Sequence, residues 1–594
     1  MKTQSTLLAL RVCLLLLMAA GVGAAQSTSE TAQGIPINDP LVISKCAGCH
    51  ARNASGLMGR ISYIRTTPEV WEQILKRMVR LNGLIATPEE SRQILRYLSN
   101  NNGLAPQEAR PVFWEVEHRL FRTQEEEAGV PAELQQTCNQ CHTIGRVLSQ
   151  RRTAADYIKL ANTHMALFPG AEPMVFRPAD RNAHPEDTPV TTSQLNEYET
   201  KLNYPPSPAR PNTTYPIDVA LEYLAKNQPL ITPEWAAWKG VVSSPKLAGT
   251  WTISAYQPGK GKVFGEMTIE ACPTPDDFMT KTVLHYPDGQ VVTRTGKGVV
   301  YSGYSWRGHA TATPAGAKDP AFPADTREAM MLSSNGNMMD GRWFWGGYQE
   351  FGLDVQLTRV QRDPVVLGFD LFSVKSPSTA DLHIYGANLP AGLKPADFDL
   401  GKGVQVTKIM HATADEIVVQ LAVAGGLPAS PHSLSIKGLM APQTLTVYEK
   451  VDYIKVSPDA NFARLGGTIA PKQYAEFQAL GFADGEDGKP GTADDVALGP
   501  VPSSWSLEEF YATPKDDDVK YVGTINGSGL FTPNLEGPNP DRRKQANNYP
   551  TENWGDVWVN ALYKGPDGGE LKARSYLVVV VPVYMHYDQP EVGQ

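Results

Sequence analysis

Two pentapeptides in this chain carry residue types that do chemistry: Cys46-Ala47-Gly48-Cys49-His50 and Cys138-Asn139-Gln140-Cys141-His142. Two thiols held three residues apart can bond a porphyrin covalently, and the His that follows at once can ligate its iron. The pattern predicts two c-type haems, anchored by Cys46, Cys49, Cys138 and Cys141, with His50 and His142 as the proximal iron ligands. A zinc site would need a further Cys/His set at ligand spacing, and the sequence has none. A thioredoxin-like dithiol would need a βαβ setting, which neither copy has.

The second motif starts 92 residues after the first, at 138 against 46. The segments behind the two motifs match. Behind the first, Pro68-Glu69 opens a helix with Trp71, Ile74, Leu75 and Met78 at i, i+3, i+4 and i+7. Thr87-Pro88-Glu89-Glu90 reads as the cap and first turn of another helix, which holds Ile94 to Leu98. Behind the second motif, Ala154 to His164 carries Tyr157, Leu160, Ala161 and His164 at the first helix's spacing. Ala220 to Leu224 then echoes Ile94 to Leu98. A Pro-rich insertion from Phe168 to Pro216 stretches this second copy. The arrangement resembles a pair of class I cytochromes c, in which an N-terminal Cys-x-x-Cys-His segment and a closing Tyr-Leu helix clasp the haem.

Aligning Trp71 with Tyr157 puts Met78 and His164 at the same place, and they are the expected sixth iron ligands. His118 rivals Met78, and Met58 is a further candidate. Met165 rivals His164, followed by Met174 and His184. Met78 could equally be core, since Met fills gaps. A His/Met haem has the higher potential, so unequal ligands would set a gradient along the chain.

The 594 residues amount to about four domains. A net charge of −9 and the absence of a long Lys/Arg run argue against nucleic acid binding. Residues 1–25 read as a secretory signal. Lys2 opens it, Leu7 to Ala20 is apolar apart from Arg11, and Gly23-Ala24-Ala25 suits cleavage near Ala25. The apolar core is about half of the ~20 residues a membrane helix needs, so no membrane span is expected. The destination is the periplasm. Cys13 falls in the signal, which leaves Cys272 as the one Cys of the exported chain outside the motifs. No internal disulfide can form, and Cys272 reads as a buried inert thiol.

After Pro233 the pattern turns to short alternating strands between Gly, Pro and Asp turns. The expected fold class is multidomain: an N-terminal all-α dihaem cytochrome c domain over 26–232, then all-β domains. These are an antiparallel β-barrel over 233–362 and immunoglobulin-like sandwiches over 363–449 and 450–594. Trp343-Phe344-Trp345 is read as barrel core. His383, His411 and His432 lack metal spacing. Residues 484–495 are Gly-rich and studded with carboxylates, without EF-hand spacing and with Lys489 inside. A solvated acidic loop and a calcium site are its two readings. The β region has no Gly-x-Ser-x-Gly and no His-Glu-x-x-His, so no catalytic residue is expected there.

Two cytochrome modules, a barrel and two sandwiches in an exported chain resemble the α subunit of quinohaemoprotein amine dehydrogenase. The stretch Val519 to Leu530 and the 484–495 loop share in that likeness. The resemblance implies oxidative deamination of primary amines at a tryptophan-derived quinone. The quinone would sit in a small thioether-crosslinked γ subunit, beside a β-propeller β subunit. This chain would pass electrons through its haems to a soluble periplasmic acceptor, a cytochrome c or a blue copper protein. Two alternatives stand beside that reading: a stand-alone exported dihaem oxidoreductase, and a non-enzymatic multihaem scaffold.

Overall fold

A computed structural model describes residues 34–111, 130–138, 144–177, 215–313, 324–511, 516–542 and 551–582. The signal segment, His118, Cys141, His142, His184 and most of the Pro-rich insertion lie outside the described residues. The chain divides into two compact units. The first comprises Met1–Thr66, Met78–Gly103 and Gln150–Ala237. The second comprises Thr67–Arg77, Leu104–Ser149 and Trp238–Gln594.

The first unit holds helix α1 (Pro40–Cys46), the end of α2 (Pro68–Asn82), and α3 (Pro88–Asn101). Thr87 caps α3, and Glu90 reaches back to the Thr87 N–H, a full capping box. Ile94, Leu95 and Leu98 form the buried face of α3. Further on, α6 (Ala154–Leu167) starts at Thr153, whose hydroxyl accepts from the Asp156 N–H at 3.3 Å. It packs with α7 (Pro216–Asn227) over Ala161, Phe176 and Ile217. The helices α4 (Ala132–Cys138) and α5 (Ile144–Leu148) belong to the second unit.

The expectation of an all-α haem region is corrected by a β ladder. Strand β1 (Ile64–Arg65) pairs antiparallel with β2 (Arg151–Arg152), Ile64 opposite Arg152 and Arg65 opposite Arg151. Isolated bridges join Arg52 to Met58 and Arg152 to Pro229. The physical reason is local. Thr67 precedes Pro68, which disfavours helix at that residue, and Thr153 is an N-cap with extended backbone. Each repeat thus enters its long helix from an extended segment. Under the alignment of Trp71 with Tyr157, Arg65 corresponds to Arg151, so equivalent residues of the two repeats pair with each other.

In the second unit, strands β3 to β10 (Gly249–Gln257, Gly261–Ala271, Asp277–His285, Val291–Tyr301, Ser305–Thr313, Asp325–Leu332, Met338–Trp345 and Phe351–Arg359) form a closed antiparallel barrel. Strand β10 closes on β3, with Asp354 opposite Tyr256 and Arg359 opposite Trp251. Closure leaves no edge to pair with other chains. Trp251, Trp306 and Trp343 are buried in its core. Gly298 is required there, because a Cβ would lie 2.0 Å from Cζ2 of Trp306. On β7 (Ser305–Thr313), Arg307 forms a buried ion pair with Glu69 in the first turn of α2.

Residues 365–448 form a sandwich of two four-stranded sheets around Phe369, Leu382, Ile384, Val419, Leu421 and Leu445. The last region departs from the expected two-sheet sandwich. Three sheets, of three, four and three strands, share one core with Phe477, Phe531, Val557 and Leu577. A short helix, α9 if counted after α8 (Pro233–Lys239), spans Asp518–Tyr521, so the β region is not purely β.

Candidate haem site

Helix α1 exists because Asp39 caps it, accepting from the Val42 N–H at 2.9 Å, and Pro40 fits its first turn. It ends at Cys46. The chain then keeps one more turn, with the N–H of Cys49 at 3.3 Å and of His50 at 2.9 Å from the Cys46 carbonyl. Residues at i, i+3 and i+4 share a face, so both thiols and the imidazole converge. Cys46 is half-buried, Cys49 is exposed, and both are free. Burial and the neighbouring Cys49 raise the Cys46 thiol.

His50 donates from Nδ1 to the carbonyl of Gly59 at 2.9 Å. A carbonyl can only accept, so the proton sits on Nδ1 and Nε2 presents a lone pair. This is the usual second partner of a metal-ligating histidine. Lys45, one residue before the motif, donates to the Ile85 carbonyl at 3.2 Å and pairs with Glu90 at 2.8 Å. The motif is thereby tied to the loop that follows Met78. Val79 and Leu81 at the end of α2 and Ile85 in the loop after it are 44%, 66% and 86% exposed. Apolar side chains that exposed, in the segment Lys45 ties to the motif, offer surface a porphyrin would cover. The residues present therefore fit a haem.

Met78 is half-buried at the end of α2, and its carbonyl accepts from Leu84 at 3.0 Å. Met58 is fully buried, with its N–H donating to the Ser62 hydroxyl at 2.8 Å. Helix α4 ends at Cys138 as α1 ends at Cys46, and the rest of the second motif lies outside the described residues. Burial pushes the Cys138 thiol up to about 12. His164 lies in the last turn of α6, its Nδ1 bonded to the Leu160 carbonyl at 2.9 Å and its ring 6.1 Å from that of Phe176. Met165 packs against the Ala161, Phe176 and Ile217 core, and Met174 is 77% exposed.

Three carboxylates of the acidic loop are engaged by their own chain. Asp487 accepts from the Lys489 N–H, Asp494 from the Asp487 N–H, and Asp495 from Gly491, Thr492 and the Tyr453 hydroxyl. Among the described residues no group of three His, Cys, Asp or Glu could hold a metal ion. Among the described residues no helix is long and apolar enough to cross a membrane.

A turn that gathers Cys46, Cys49 and His50 in one compact unit, joined in the same chain to a closed barrel and two further β regions, fits a multidomain haem-binding subunit. The family models are specific about which one. Residues 37–184 match quinohemoprotein amine dehydrogenase A, alpha subunit, haem binding. Residues 244–360, 372–449 and 454–592 match quinohemoprotein amine dehydrogenase, alpha subunit, domains II, III and IV. The chain belongs to the alpha-subunit family of quinohemoprotein amine dehydrogenases, as a haem-containing member of that amine-oxidising complex.

No curated protein matches the chain. Among solved structures, EF1p2_mFAP2b bound to DFHBI matches at 15% identity and TM-score 0.17, over 19% of this chain and 94% of that one. The Bacteroides ovatus mixed-linkage glucan protein SGBP-B matches at 11% identity and TM-score 0.17, over 59% and 72%. The tandem Ig repeats of Dlar match at 11% and 0.12, over 37% and 100%. Likeness this slight carries no weight for function.

Proposed function

We propose that this chain is the electron-transfer subunit of its complex. Electrons from a tryptophan-derived quinone in a small γ subunit pass through two covalently held c-type haems to a soluble cytochrome c or blue copper protein. A β-propeller β subunit completes the assembly, in the periplasm. Haem supplies one-electron chemistry when bound. The chain's own residues do the rest. Cys46 and Cys49 hold the first group, His50 offers Nε2 to its iron, and Gly59 fixes the imidazole tautomer. Cys138, Cys141 and His142 would serve the second group. Met78 and His164 are the proposed sixth ligands, and unequal ligands would direct the electron.

The observation that carries this reading is the His50–Gly59 hydrogen bond on the turn that gathers both thiols. Native purification tests it. Two co-purifying partners, one of them small and quinone-stained, and haem reduction on adding a primary amine are expected. A chain that purifies alone and stays oxidised with every amine would overturn it.

A further inference from the structure

The carbonyl that orients His50 belongs to Gly59, and the next residue, Arg60, is anchored on the second repeat. Arg60 has φ +66°, a left-handed backbone costly for a residue with a side chain. Something must hold it there. Its Nε lies 3.0 Å from Oδ1 of Asp156, an ion pair whose angle falls outside hydrogen-bond geometry. Asp156 is 1% exposed. Its other oxygen takes Arg152, itself buried and held at Nε and Nη2 by the Gln150 side chain. The Asp156 backbone is fixed as well, in the capped first turn of α6. A rigid buried anion thus pins a strained residue whose preceding carbonyl meets the proximal histidine.

The geometry points to Asp156 as a positioning residue for the first haem. Acting through Arg60, it holds the Gly59 carbonyl against Nδ1 of His50, although in sequence it belongs to the second repeat. This rests on the reading of His50 as the proximal ligand. A firm Nδ1–H···O=C bond makes the imidazole more basic and favours ferric iron. Loosening it raises the midpoint potential.

The test uses the full haem-loaded chain with Asp156→Asn, Arg60→Gly and Arg60→Lys. Glycine suits φ +66°, and the Arg60 side chain is 37% exposed, so Arg60→Gly carries the test if Asp156→Asn does not fold. Mass spectrometry of the Cys46–Cys49 peptide reports the haem adduct, and redox titration of the visible spectrum reports the midpoints. Positioning predicts that one midpoint rises in both Asp156→Asn and Arg60→Gly, with the adduct intact, and that Arg60→Lys returns most of the shift. A through-space charge effect alone would raise it in Asp156→Asn and lower it in Arg60→Gly. Opposite shifts, or none, overturn the proposal. An adduct missing from the parent chain instead overturns the reading of the motif.

Discussion

Asp156 of the haem-bearing unit and Glu328 of the barrel are both nearly sealed from water, at 1% and 2% exposure, and they are treated oppositely. Asp156 sits between the guanidiniums of Arg60 and Arg152. Glu328 accepts one bond at Oε2, from the Trp306 indole at 2.8 Å, and its Oε1 has no hydrogen-bond partner. Arg294, whose charge also favours the carboxylate, turns its Nη1 to Thr326. Burial outweighs both helpers and lifts the Glu328 carboxyl to about 7. A buried charge with two partners fixes a position, whereas one with a single neutral partner escapes its desolvation by taking a proton. The haem unit needs a specified geometry. The barrel interior needs only to be filled.

The largest effect that could break this contrast is the loss of Asp156. Asp156→Ala leaves Arg152 buried without its carboxylate, and such losses cost about 3–5 kcal/mol. Hydrogen exchange read peptide by peptide should show protection lost over Ala154–Leu167, with the barrel strands unchanged. A cost below about 1 kcal/mol would mean the pair is not holding the fold.

Next in size is the pH response of the barrel. The Glu328 carboxyl is raised from 4.5 to about 7. Between those values the folded chain binds the proton and the unfolded chain does not. Stability from this group is complete below pH 4.5 and is lost as pH rises through 7. The shift corresponds to about 3 kcal/mol at most. Glu328→Gln keeps an acceptor for Trp306 and cannot ionise. Denaturation midpoints of the parent should fall from pH 5 to 7.5 relative to those of Glu328→Gln. Parallel curves would show that Glu328 is ionised in the fold throughout.

The two regions also differed in how far they could be read from sequence. Both attachment motifs are local spellings of chemistry, and the turn from Cys46 to His50 follows from i, i+3, i+4 spacing alone. The strands of the barrel follow from alternation between Gly, Pro and Asp turns, as β3 (Gly249–Gln257) shows. The ladder of Ile64-Arg65 on Arg151-Arg152 was not legible, because two residues have no period. Nor was Arg60, since a left-handed turn without glycine or asparagine leaves no signal, and its partner lies 96 residues on, at 156 against 60. The three-sheet division of the last region depends on which strands pair, and alternation does not carry that.

The smallest effect sharpens the contrast from the solvent side of the same haem unit. Thr87 accepts from the Glu90 N–H at 3.2 Å, and Glu90 accepts from the Thr87 N–H at 2.9 Å. Glu90 also holds Lys45, which reaches the Ile85 carbonyl beside the first motif. This network has the same form as that around Asp156, a carboxylate joining a helix start to a haem loop, but it stands in water. Water replaces what a substitution removes, so Thr87→Ala should cost about 1 kcal/mol, the ordinary worth of a cap. The midpoint potentials should stay where they are. A potential shift as large as that of Asp156→Asn would show that exposed ties position His50 as well as buried ones do, and that burial of Asp156 is not what makes it effective.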